Sequence, residues 1–107
     1  MKPKYTWDEE KNRSNLEDHG VSFEDAELVF LDPHHIVQLN SVAEGEQRLH
    51  AIGIARGTLI LLVVYTVIHE DTRFEVTRII SARKAERWER REYEQSRVNS
   101  GWEDFDC

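Results

Sequence analysis

Cysteine is all but missing: Cys107, the final residue, is the only one in a chain of 107 residues. An intramolecular disulfide and thiol catalysis are therefore excluded, and a reducing, cytoplasmic setting is expected. No CxxC pair, glycine-rich phosphate loop or Ser/His/Asp set occurs. Long hydrophobic runs are also lacking. The longest, residues 59–64, falls far short of the roughly 18 to 20 residues that a bilayer span needs. The N-terminus opens on Lys2, Pro3 and Lys4 with no apolar signal stretch, so no membrane association is expected. Positive charge is scarce too. Fourteen Lys and Arg face 21 Asp and Glu, a net charge of −7, which as a single number argues against nucleic-acid binding.

What is present is a 39% hydrophobic, 33% charged chain of the size of one globular domain. Its charge is unevenly spread. Residues 1–46 hold 4 basic against 11 acidic residues, whereas residues 47–97 hold 10 basic against 7 acidic, nine of the ten being arginine. Residues 98–107 add three acids and read as an acidic, flexible tail after a single domain of residues 1–97. The basic chemistry therefore belongs to the second half of the chain.

The order of elements is helix, helix, strands, helix. Residues 8–19 are acidic at their start and end at Gly20, a helix-stopping position, with Asn12, Asn15, Leu16 and His19 in one mostly polar stripe. Ser22 reads as an N-cap with Asp25 at N3, and Phe23, Ala26 and Phe30 give the second helix an apolar face that ends at Asp32-Pro33. Strands are expected at 36–39, 48–54, 58–67 and 72–81, with a polar loop at 40–47 and a hairpin turn at 55–57. The 59–64 run is core. On the last strand, period two aligns Phe74, Val76, Arg78 and Ile80, so an arginine interrupts an apolar row. Residues 84–97 are helix formers. Short connections favour an antiparallel sheet with helices packed on it, an α+β domain.

Arg48, Arg78 and Arg83 are the leading candidates for chemistry, as fixed guanidinium forks suited to phosphate if the strands bring them to one surface. The alternative is that each pairs with one of the many carboxylates. His19 is either a proton-transfer group or a helix-end histidine favoured by the dipole. Tyr93 could hydrogen-bond a phosphate, or simply pack. Trp88 could stack on a base, although a core position is the commoner use. His34 and His35 are adjacent, a poor ligand spacing, and His50 and His69 read as ordinary strand or turn residues, so no metal site and no cofactor is expected.

Two segments together resemble the BrnT family of bacterial type II toxins. The first runs from Trp7-Asp8-Glu9-Glu10-Lys11-Asn12-Arg13-Ser14-Asn15-Leu16 through His19-Gly20-Val21-Ser22-Phe23 and Ala26 to Phe30 and Asp32-Pro33. The second is Arg78-Ile79-Ile80-Ser81-Ala82-Arg83-Lys84-Ala85, followed by Glu89 and Tyr93. The Arg48 strand start and the Gly57 hairpin lie between them in matching order. The resemblance implies a RelE-like fold and a ribonuclease that suppresses translation. It also implies a BrnA-like ribbon-helix-helix antitoxin, with DNA contacted only through the complex. On that reading RNA is cut without metal: Arg48, Arg78 and Arg83 hold the phosphate, His19 and Tyr93 supply acid and base, and Lys11, Lys84 and Arg87 touch the backbone of the substrate. A rival reading is a non-catalytic module whose arginine face docks an acidic partner.

Overall fold

A computed structural model describes residues 2–43, 45–70 and 74–105. The elements run β1 (Lys2–Thr6), α1 (Glu9–His19), α2 (Phe23–Glu27), a 3-10 turn (Leu28–Leu31), β2 (Ile36–Ala43), β3 (Glu46–Arg56), β4 (Leu59–Glu70), β5 (Phe74–Lys84) and α3 (Arg87–Phe105). The five strands form one sheet in the order β1-β5-β4-β3-β2. The α+β class holds, with two corrections. A first strand, β1, was not anticipated, and it pairs parallel with β5, so the sheet is mixed rather than wholly antiparallel. The last helix continues to Phe105, through most of the segment read as a tail; Asp106 and Cys107 lie outside the described residues.

Local chemistry sets the helix ends. The Asp8 carboxylate caps α1 by accepting from Glu10 N at 2.8 Å, and Gly20, at φ 69°, ends it with its N–H on the Leu16 carbonyl. Ser22 Oγ accepts from Asp25 N at 3.1 Å at the start of α2. The polar stripe on α1 proves to be a fastening. Asn15 donates to the carbonyls of Val21 (2.8 Å) and Ala82 (2.7 Å) and accepts from Ala82 N (3.1 Å). Strand β1 pairs only with 74–78 of β5, and the Asn15 amide stands in for a strand partner further along that edge. Asn12 accepts from Phe23 N and donates to Glu24, both at 2.8 Å, tying α1 to α2.

The sheet separates two cores. On one face α1, α2 and the 3-10 turn cover Ala51, Leu61, Val63, Tyr65, Ile79 and Ala82, with Phe23, Ala26 and Val29 buried between the layers. On the other face α3 lays Tyr93 over Ile52, Ile60, Leu62 and Ala85. The central 60–63 run is buried on both sides, alternate residues going to alternate cores, as read from the sequence. Gly53 lets the chain after the 3-10 turn approach β3: a Cβ there would lie 2.9 Å from His35 Cβ and 3.0 Å from Val29 Cγ1. Asp32 uses that approach to accept from Ile54 N (2.9 Å), His34 N (2.9 Å) and the Tyr93 hydroxyl (2.5 Å). Among the described residues no helix is long and apolar enough to cross a membrane.

Candidate functional site

Register decides which side chains share the α3 face. The pairs Gln38↔His50↔Val64↔Ser81 and Leu62↔Arg83 lie on it, together with Thr66↔Arg78 and Ser41↔Arg48. Arg78 and Arg83 are five apart, an odd spacing that a regular strand would send to opposite faces. A bulge corrects this: Val64 pairs with Ser81 but Tyr65 with Ile79, leaving Ile80 as the extra residue. Ile79 and Ala82, three apart, both sit in the helix-covered core, as the bulge requires. The extra residue thus brings Arg83 round to the face that Arg78 occupies.

The α3 face is thus divided. Its one end is apolar and sealed beneath Tyr93; its other end carries Arg48, His50, Thr66, Arg78, Ser81 and Arg83. Thr66 is buried, its hydroxyl donating to the Gln47 carbonyl at 2.8 Å. Arg78 is exposed and Arg48 half-buried, and among the described residues neither has an ion-pair partner. The Nε of Arg48 is buried with no acceptor. Two guanidinium groups without a carboxylate partner on one face have the chemistry to hold an anion.

Arg83 is different. It donates to both Glu89 oxygens, at 2.8 and 2.9 Å, and Glu89, 1% exposed, also accepts from Glu86 N at 2.7 Å. Burial alone would raise the Glu89 carboxyl, but the Arg83 and Glu86 bonds outweigh it and hold the group below the ordinary carboxylate range. The ion-pair alternative is therefore realised at one arginine of the three. His50 stands within reach of this pair: burial, then the Arg83 charge, lower its pKa against the opposing pull of Glu89.

The remaining sequence candidates are placed as follows. Tyr93 is on the α3 face but 0% exposed, and burial, then Asp32, push its phenol up to about 12. His19 is exposed at the end of α1, in the layer on the opposite side of the sheet. Lys11 is on that same helix, and Lys84 pairs with Leu61 and so faces that side too. Arg87 is exposed on the first turn of α3. Trp88, expected in the core, is instead 54% exposed with its indole N–H on Glu86 at 3.0 Å. It lies one turn before Glu92, which accepts from Gln38 opposite His50, so Trp88 flanks the arginine end of the face. His50, read as a strand or turn residue, is in β3 and shares the face of Arg48, as period two from Arg48 signals.

Comparison with known proteins meets this geometry. Residues 7–89 match the family model described as the ribonuclease toxin, BrnT, of type II toxin-antitoxin systems. The chain belongs to the BrnT family. A crystal structure of the Brucella abortus ribonuclease toxin BrnT is similar at 28% identity and a TM-score of 0.59, over 81% of this chain and all of that one. No curated protein matches. Within the BrnT match lie Arg48, Arg78, Arg83, His50, Trp88 and Glu89, whereas Tyr93 and the rest of α3 follow it.

Proposed function

We propose that this BrnT chain is an RNA-cutting toxin whose active surface is the arginine end of the α3 face. The observation that carries the reading is the convergence of Arg48, Arg78 and Arg83 on one side of the sheet, two of them with no carboxylate partner among the described residues. RNA brings its own nucleophile, the 2′-hydroxyl, so the protein need only hold the phosphate, stabilise the charge that develops on it and move protons. Arg48 and Arg78 contact the phosphate oxygens, while Arg83 is kept in fixed orientation by Glu89. Trp88 and Arg87, at the α3 rim, offer a stacking face and a charge for flanking nucleotides. The chemistry proposed is metal-independent, since each of these roles falls to a side chain of the protein.

The RelE-like arrangement, translation arrest in the cytoplasm and neutralisation by a BrnA-like ribbon-helix-helix antitoxin belong to the same reading. DNA is then contacted through the antitoxin complex. The acidic first half of the chain suits a basic partner. The test is incubation of purified, antitoxin-free protein with total RNA and with translating ribosomes, with and without EDTA. Cleavage that survives EDTA and is lost in Arg48→Ala and Arg78→Ala supports the proposal. Tight partner binding with no cleavage in either substrate supports the rival docking module instead.

A further inference from the structure

We infer that His50 is the proton acceptor of the cleavage reaction, a role that rests on the ribonuclease reading above. RNA cleavage through the 2′-hydroxyl needs a group that takes its proton near neutral pH. The sequence offered His19 and Tyr93. His19 belongs to the helix layer on the far side of the sheet, and Tyr93 is sealed against Asp32 at the apolar end. His50 is on the correct face. It is two residues from Arg48 along β3, and its cross-strand neighbour Val64 separates it from Ser81, which precedes Arg83 by two on β5. A phosphate held by Arg48 and Arg78, which flank Thr66 in the next cross-strand row, would lie beside this strip. The imidazole is half-buried and makes no hydrogen bond to another described residue, so a ring nitrogen is left to accept. The charged groups on the same face are Arg48 on its own strand, Arg78 and Arg83 on β5, and Glu89 and Glu92 on α3. Half-burial of the ring, and then the Arg83 charge, outweigh Glu89 and favour the neutral imidazole, the form that accepts a proton.

His50 takes the 2′-hydroxyl proton while the 2′-oxygen bonds to the adjacent phosphorus. The bond from phosphorus to the 5′-oxygen breaks, and the departing oxygen takes a proton from water. The products are a 2′,3′-cyclic phosphate end and a 5′-hydroxyl end, and His50 returns its proton to solvent.

The experiment uses the full chain, an RNA oligonucleotide that the wild type cuts, and the variants His50→Gln and His50→Ala, with thermal melting as the check on folding. His50→Gln is expected to lower kcat by about 10²- to 10⁴-fold, the range of general base catalysis, with KM changed less than about threefold. The acid limb of the wild-type kcat/KM profile, with its midpoint below the ordinary histidine range, should vanish. Free imidazole should restore part of the His50→Ala rate, which a merely structural role would not allow. A wild type that cuts, beside a His50→Gln variant with unchanged kcat and pH profile, overturns the assignment of His50 alone. A wild type that cuts no RNA overturns the ribonuclease reading and this inference with it.

Discussion

Replacing Arg83 with alanine is the obvious first test of the arginine surface, and the structure says that it will report on stability as well as activity. The reason is the Glu89 carboxylate, 1% exposed, for which Arg83 supplies two of three hydrogen bonds. Removing one partner of a buried pair costs about 3–5 kcal/mol when the other charge is stranded. Protonation of Glu89 limits the loss. Neutralising a carboxyl of ordinary pKa near ~4.3 costs about 1.4 kcal/mol per pH unit above that value, so about 3.7 kcal/mol at pH 7 and about 1.6 kcal/mol at pH 5.5. Water entering the space left by the partly exposed arginine lowers the penalty, and about 2–4 kcal/mol at pH 7 is expected. At about 4–8 °C per kcal/mol for a domain near this size, Tm should fall by more than about 8 °C. The sign of the pH dependence is diagnostic. In the wild type the lowered Glu89 pKa contributes stability above the unfolded carboxyl range that is lost on acidification through the folded value. In Arg83→Ala the deficit should instead shrink as pH falls from 7 to 5.5. Adding Glu89→Gln removes the stranded charge and should recover most of the Tm at pH 7. Melting curves of the single and double variants at both pH values measure this. A single variant that melts with the wild type at pH 7, or a double variant no more stable than the single, refutes the reasoning.

Other expectations follow from the same geometry. Asn15→Ala strands the buried Ala82 N–H and two carbonyls and should cost about 3 kcal/mol or more, at roughly 1 kcal/mol or more for each of these groups, read by urea denaturation with activity per folded molecule unchanged. Trp88→Ala should leave Tm within a few degrees, since the side chain is half-exposed, yet raise KM for RNA by about 5- to 150-fold, from a stacking contribution of about 1–3 kcal/mol. Trp88→Phe should keep most of that affinity; equal KM in all three proteins would remove Trp88 from the substrate path.

Local signals carried far in the sequence, and relations between strands did not. Gly20, the Ser22–Asp25 cap and the doubly buried 60–63 run were legible because each depends on neighbours within a few positions. Strand β1 was not: its residues are short and partly basic, and its partner lies some seventy positions away in β5. The burial of Asn12 and Asn15 was hidden because an amide that completes a strand edge looks, in one dimension, like any polar helix residue. Trp88, expected in the core, is exposed, and its neighbour Glu89 is the buried one. A bulky indole ordinarily wins the buried position, but here Arg83 neutralises the carboxylate that takes it. His50 acquires its surroundings from β5 and α3, neither of which its own segment announces.

The bulge at Ile80 has a consequence for how this surface can change over time. Were every residue of β5 to pair regularly, Ser81 and Arg83 would turn into the packed layer beneath α1, and Ala82 and Lys84 would be presented in their stead. Removal of Ile80 has the opposite outcome: Arg78 and Arg83 would then stand an even four apart, and a regular strand would keep both on the α3 face. The arginine surface and the hydrophobic interior thus share one counting frame, in which the extra residue and the bulge that absorbs it can be lost only together.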